Sequence, residues 1–176
     1  MQKQFLEKEM DRDTINSRLK SFARAYVDAL KQTLGNDLIA VVLYGSVARG
    51  EATAYSDIDL LVVSDGLPEG RFAKRDLLKP AKALVAEQKD ALFQSGIWSN
   101  FSELIKTREE ARKRSYLYLD LSEDAVILFD KDNYFEKLLA ELRERLKQMG
   151  SARKVFRGYR YWDIKPDFKA GDTVDL

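Results

Sequence analysis

The chain is predicted to be α/β, with a mixed sheet flanked by helices, and three observations predict it. Amphipathic stretches lie near both ends, an apolar β-branched run fills Leu38 to Tyr44, and a connection too short for a crossover helix, Glu51 to Tyr55, leads from that run to a second strand. The first stretch carries Ile15, Leu19, Phe22, Ala23, Tyr26, Val27, Leu30 and Leu34 at helical spacing between Asp13 or Thr14 and Gly35. Its expected role is to cover the sheet. The run Leu38 to Tyr44 reads as a buried strand, the chain turns at Gly45-Ser46, and Asp57 to Val63 is the second strand. So short a link allows antiparallel or mixed pairing.

Asp65 to Gly70 is the clearest loop, and a helix is expected after it with Pro80 in its first turn or interrupting it. Leu84, Val85, Ala91 and Leu92 mark its buried stripe, and Gly96 ends it. Ile97 to Ile105 reads as a third strand, and Thr107 with Glu110 forms a capping box for another helix. Ala125 to Phe129 is a strand or the end of a helix. Asn133 to Gly150 is a further helix with Tyr134, Phe135, Leu138, Leu139, Leu142 and Leu146 on its core face.

At 176 residues the chain fits one domain able to bury a sizeable core. Cysteine and histidine are both absent, which excludes disulfides, thiolate and imidazole metal sites, and Ser-His or Cys-His catalysis. Carboxylate-bound hard cations remain. The start, MQKQFLEKEMDRD, is charged throughout, and no stretch has the length of a membrane span, so a soluble cytoplasmic protein without a membrane partner is expected. Thirty basic against twenty-nine acidic residues give a net charge of +1, which argues against a wholesale nucleic-acid surface.

The chemistry lies between residues 45 and 60. Gly45 lets the backbone approach a bound group closely, and a helical turn through Val47, Ala48 and Arg49 would aim free N–H groups at a phosphate. Ser46 adds a hydroxyl and Arg49 a fixed charge. Asp57 and Asp59 are two apart on a strand, so both carboxylates leave one face while Ile58, Leu60 and Val62 take the other. Such a pair can share a cation with substrate phosphate oxygens. A phosphate cradle followed directly by paired carboxylates suits phosphoryl or nucleotidyl transfer.

The stretch GSVARGEATAYSDIDLLVV resembles the signature of the DNA polymerase β-like nucleotidyltransferase superfamily, and the short chain is similar to its minimal nucleotidyltransferase branch. SELIKTREEA, YLDLSEDAVILFD and YRYWDIKPD also resemble segments of small prokaryotic members. The resemblance implies the polymerase β-like fold, with residues 1–150 as the nucleotidyltransferase domain and 151–176 as an extension packed on it. It implies that Gly45 and Ser46 hold a nucleoside triphosphate, that Asp57 and Asp59 bind Mg²⁺, or Mn²⁺ in its place, and that Arg49 lies near the phosphates or braces the loop. ATP is the expected substrate, AMP the transferred group and a hydroxyl the acceptor. A small helical partner protein of the toxin type is one acceptor the resemblance suggests. Its alternative is a catalytically weak, antitoxin-like binding module that acts through such a partner.

Catalytic members of that family usually carry a third acid on the strand after the intervening helix. Glu103 is the expected catalytic residue here, sharing strand parity with Ile97, Ser99 and Phe101, while Ser99 or Ser102 is the alternative occupant and Asp120 and Asp130 are further acids. The tail interleaves Arg153, Lys154, Arg157, Arg160 and Lys165 with Phe156, Tyr159, Tyr161 and Trp162. That mixture suits stacking on a nucleotide base or single strand, and equally an edge strand or hairpin with one packed face. The hairpin is preferred.

Overall fold

A computed structural model describes residues 10–167 and 169. The charged start at 1–9, residue 168 and the end of the C-terminal extension at 170–176 lie outside the described residues. Helix α1 (Arg12–Leu34) begins where the Asp11 carboxylate accepts the Thr14 N–H, and Gly35, at φ 54°, ends it. Strand β1 (Leu38–Tyr44) follows, then the short helix α2 (Gly45–Arg49) and β2 (Ile58–Ser64). Three short helices, α3 (Arg71–Leu77), α4 (Lys79–Leu84) and α5 (Ala86–Gln94), lead to β3 (Phe101–Lys106). Helix α6 (Arg108–Arg112) starts at the expected Thr107–Glu110 capping box, with both reciprocal bonds present. Helix α7 (Leu117–Asp124), β4 (Val126–Asp130), α8 (Tyr134–Gln148) and the strands β5 (Ala152–Phe156) and β6 (Tyr159–Asp163) complete the order.

Four strands form a mixed sheet in the order β3-β2-β1-β4, in which β1 is antiparallel to β2 and β4, and β2 is parallel to β3. The five-residue link allows antiparallel or mixed pairing, and the structure takes the antiparallel one. Alternation along the strands divides the core in two. Val41, Leu43, Ile58, Leu60 and Val62 pack against α1, whose Leu19, Tyr26 and Leu30 are fully buried. Ile39, Val42, Leu61 and Val63 face the other way, against Tyr118 and Leu121 of α7 and Phe135, Leu139 and Leu142 of α8. Burying side chains of this size is worth roughly 1.5–3 kcal/mol each relative to exposure.

The sequence reading needs correction in three places. The helix expected after the loop is three helices, because Pro80 stands in the first turn of α4 and Val85 leaves helical geometry at φ −111°, ψ 16°. Broken phase shifts the buried stripe: Val85 is buried and Leu92 partly so, but Leu84 and Ala91 are exposed, and Leu78 and Ala81 take their places. Strand β3 begins at Phe101 rather than Ile97, since Trp98 N–H bonds to Ala54 O (2.6 Å) and Asn100 O accepts from Ile58 N–H (2.8 Å), tying 97–100 to the motif loop. Helix α7, unanticipated, precedes β4.

The tail is a hairpin. Arg157 and Gly158, at φ 50° and 83°, make its two-residue turn, with both dihedrals in the region that matches strand twist. Trp162 and Ile164 pack against the second core cluster, and the indole N–H donates to Asp120 Oδ1 at 3.0 Å. Arg153 forms a bidentate pair with Asp124 (2.8 and 2.9 Å), Arg160 pairs with Glu51, and Lys154 pairs with Asp163. Among the described residues no helix is long and apolar enough to cross a membrane.

Candidate active site

Tyr44 ends β1 opposite Asp59 of β2, so the turn into α2 begins beside that carboxylate. Gly45 sits at φ 71°, a conformation L side chains rarely adopt, and a Cβ there would collide with Asp59 Oδ2. Only glycine satisfies both constraints. Gly50, at φ 75°, closes α2 with its N–H bonded to Ser46 O and Val47 O, which turns the chain toward the aspartates.

Asp57 precedes β2 and is exposed; its Oδ1 accepts the Asn100 N–H at 3.1 Å. Asp59 is partly buried on the face away from α1, as the alternation Ile58, Leu60, Val62 toward α1 requires. Burial raises its pKa first and the Asp57 charge raises it further, while the Ser102 hydroxyl and the Arg49 guanidinium pull it back in part. The Tyr44 phenol is pushed up by burial and then by Asp59, so it stays protonated beside the carboxylate.

Arg49 is held from two sides. Its Nε donates to Glu51 Oε2 at 2.7 Å, and its Nη1 lies 3.9 Å from Asp124 Oδ2. Each of these acids is shared with a tail arginine, Glu51 with Arg160 and Asp124 with Arg153. Arg160, and after it Arg49, push the Glu51 carboxyl down to about 2.

The structure thus brings Gly45, Ser46, Arg49, Asp57 and Asp59 to one end of the sheet and leaves Glu103 elsewhere. In the parallel register Ser102 stands opposite Asp59 and Glu103 opposite Leu60, so Glu103 points to the α1 face. There its side chain is 1% exposed, accepts the Tyr26 hydroxyl at 2.9 Å and pairs with Lys82 at 2.8 Å. The expectation that Glu103 shares an ion with the aspartates is corrected: starting the strand at Ile97 fixed its parity but not its register against β2. Of the other candidates, Ser102 lies opposite Asp59, and the remaining three lie elsewhere. Asp130 accepts the Phe135 and Glu136 N–H groups at the start of α8, Asp120 holds Trp162, and Ser99 is buried with its hydroxyl unpartnered. Among the described residues no cluster of three or more acids could hold a metal.

Sequence reasoning missed Tyr44, Asn100, Glu51 and Asp124. Tyr44 and Glu51 adjoin the motif and were open to inspection; Asn100 and Asp124 come from segments whose placement only the register and α7 reveal.

A sequence profile described as the nucleotidyltransferase domain matches residues 23–116, which run from the second half of α1 through the glycine turn and both aspartates to β3. This chain belongs to the nucleotidyltransferase-domain family. The nucleotidyltransferase is 30% identical over 142 residues to a protein of Methanocaldococcus jannaschii named as a candidate protein adenylyltransferase, covering 80% of this chain and 88% of that one. A second protein of that organism with the same kind of name is 43% identical over 42 residues, 24% of this chain and 42% of the relative. A crystal structure of a candidate nucleotidyltransferase from Sulfolobus solfataricus aligns with a TM-score of 0.42 at 18% identity, covering 71% of this chain and 93% of the other.

The donor set can be tested against a divalent cation from its own surroundings. Asp57 and Asp59 are hard oxygen donors, and burial, with a smaller push from the Asp57 charge, raises the Asp59 pKa, a cost that a bound cation would relieve. A magnesium ion typically takes one or two carboxylates and completes its shell with substrate phosphate oxygens and water. The residues present fit that pattern.

Proposed function

We propose that this nucleotidyltransferase moves AMP from ATP to a hydroxyl group of a protein and releases pyrophosphate. The observation that carries the reading is the contact of Gly45 with Asp59, which sets the foot of a phosphate cradle against a metal-binding carboxylate. Gly45 and Ser46 cradle the β- and γ-phosphates, Asp57 and Asp59 hold Mg²⁺ and Arg49 offsets charge. The acceptor oxygen forms a bond to the α-phosphorus, the bond to the β-phosphate bridge breaks with its electron pair leaving on pyrophosphate, and the hydroxyl proton passes to water. When bound, the ion supplies charge neutralisation on the phosphate oxygens. The protein's share is orientation and electrostatics, the normal division in phosphoryl chemistry. The archaeal relative named for protein adenylylation supports a protein acceptor.

The test is a thermal-shift titration of the wild-type chain and the double variant Asp57→Asn with Asp59→Asn. ATP raises Tm more with Mg²⁺ than without it in the wild type, because binding to the folded state alone stabilises it. The double variant keeps its apo Tm and loses the magnesium-dependent increment. Retention of the full increment overturns the metal assignment.

A further inference from the structure

Strand β3 is the outer strand of the sheet, paired to β2 on one side and to no strand on the other among the described residues. Sheet edges of this kind are ordinarily blocked by a covering element, because their free N–H and C=O groups invite another strand. Here α3 runs alongside the edge and approaches it without pairing to it. Between them lies a groove of about 370 Å³, lined by Arg71, Lys74 and Arg75 of α3 and by Glu103, Leu104 and Ile105 of β3.

The charges around this groove do not cancel. Lys74 is taken up by Glu110 at 2.6 Å, and Glu103 by Lys82 on the sheet's α1 side. Arg71 and Arg75 have no ion-pair or hydrogen-bond partner among the described residues, so the two guanidinium groups leave the groove cationic. Leu104 and Ile105 add partly buried apolar surface. An unpaired edge, apolar surface on either side of it from Leu104 and Ile105, and unpaired arginines together match an extended acidic peptide segment.

We propose that the β3 edge docks the acceptor protein through an extended acidic segment added to the sheet as a further strand. The inference rests on the transfer reading above and deepens it by naming how the acceptor is held. Ser102 is the β3 residue opposite Asp59, so a strand added beside β3 passes two strand spacings, roughly 10 Å, from that carboxylate. A hydroxyl side chain and the phosphate it attacks span that gap. Alternation on the added strand sends every second side chain to the aspartate face, so register on β3 selects which hydroxyl is presented.

The experiment uses the full chain and a fluorescein-labelled peptide of alternating glutamate and valine with one central tyrosine, followed by fluorescence anisotropy without nucleotide. A second peptide of the same sequence is N-methylated at alternate positions, which removes ladder N–H groups and keeps the charge. Binding of the first peptide, at least about tenfold weaker for the methylated one and for Arg71→Glu with Arg75→Glu, supports the docking strand. Equal binding of both peptides reduces the groove to a charge contact and overturns it. So does absence of binding, or preferential capture of a single-stranded RNA of equal charge by the same arginines. Adding labelled ATP and Mg²⁺ separates the two readings: a docked peptide that gains no AMP leaves the groove standing and counts against protein adenylylation. AMP transfer to a protein acceptor that the double arginine variant does not slow overturns the groove and leaves the transfer reading in place.

Discussion

Ser102 stands opposite Asp59 in the parallel register of β2 and β3, and its hydroxyl lowers the pKa that burial and Asp57 raise. The position where a third carboxylate would meet the aspartates is therefore held by a serine, one residue before the buried Glu103. Ser102→Asp puts an acid on the correct face, and we expect it to tighten Mn²⁺ binding by about tenfold, measured by electron paramagnetic resonance of the free ion. An unchanged or weaker affinity shows that Ser102 does not face the ion site.

Glu103 and Tyr26 form the complementary case. Burial, then the Glu103 charge, push the Tyr26 phenol far up, so it remains a hydrogen-bond donor at any accessible pH. Glu103→Gln keeps the shape but weakens the bonds to Tyr26 and Lys82, and is expected to lower stability by about 1–3 kcal/mol in denaturant titrations. Tyr26→Phe costs about 1–2 kcal/mol by removing one hydrogen bond to a carboxylate that Lys82 still pairs. AMP transfer by the folded fraction of Glu103→Gln stays within about threefold of wild type, whereas loss of a group acting as acid or base typically costs a hundredfold or more. A hundredfold loss returns Glu103 to the chemistry.

Gly45→Ala tests the cradle itself. The substitution places a methyl group against the Asp59 carboxylate and forces a non-glycine residue to φ 71°. Strain of that kind costs on the order of 1–3 kcal/mol. The decisive readout is ligand-dependent: the Mg²⁺-ATP increment in Tm falls by more than the apo Tm does. Gly50→Ala, also at positive φ but with open space around it, should lower the apo Tm and largely spare the increment.

Local pattern carried much of this architecture, and pairing decided the rest. The first strand, the two long helices and the capping box at Thr107 are written in spacings of four residues or fewer, and the structure has them. That Asp59 leaves the face opposite Ile58, Leu60 and Val62 also follows from alternation alone, whereas Asp57, expected on the strand, stands just before it. Glu103 could not be placed that way. Its face depends on which residue of β2 it lies beside, and the 97–100 segment that hides the register is held by bonds to Ala54 and Ile58. The stripe on the helices after Gly70 failed for a related reason, since Pro80 and Val85 reset the helical phase twice. The tail could be read as a hairpin from its alternation, but its partners Glu51, Asp120 and Asp124 are distant in sequence and carry no local signal.

Those partners lead to the last prediction, which concerns Arg160 and Glu51. Glu51 is exposed, yet Arg160 and then Arg49 hold its carboxyl at about 2, below the roughly 4.3 of an unperturbed glutamate. A lowered carboxyl stabilises the folded arrangement fully above its unfolded pKa, and the contribution fades as pH falls from there through the folded value. The wild-type hairpin should therefore stay docked down to about pH 3, followed by the Trp162 indole N–H resonance that Asp120 holds. Arg160→Ala takes the Glu51 pair from the hairpin at every pH, so the indole resonance should report weaker docking already at pH 7 and lose the acid-dependent step that Glu51 supplies in the wild type. The same variant leaves the Glu51 charge for Arg49 alone, which draws that guanidinium away from bound phosphate. KM for ATP should rise several-fold at pH 7 with kcat nearly unchanged, and Arg160→Lys should restore much of it because the charge, though not the fork, returns. A fall in kcat at constant KM would mean that the hairpin acts on the acceptor side and not through Arg49.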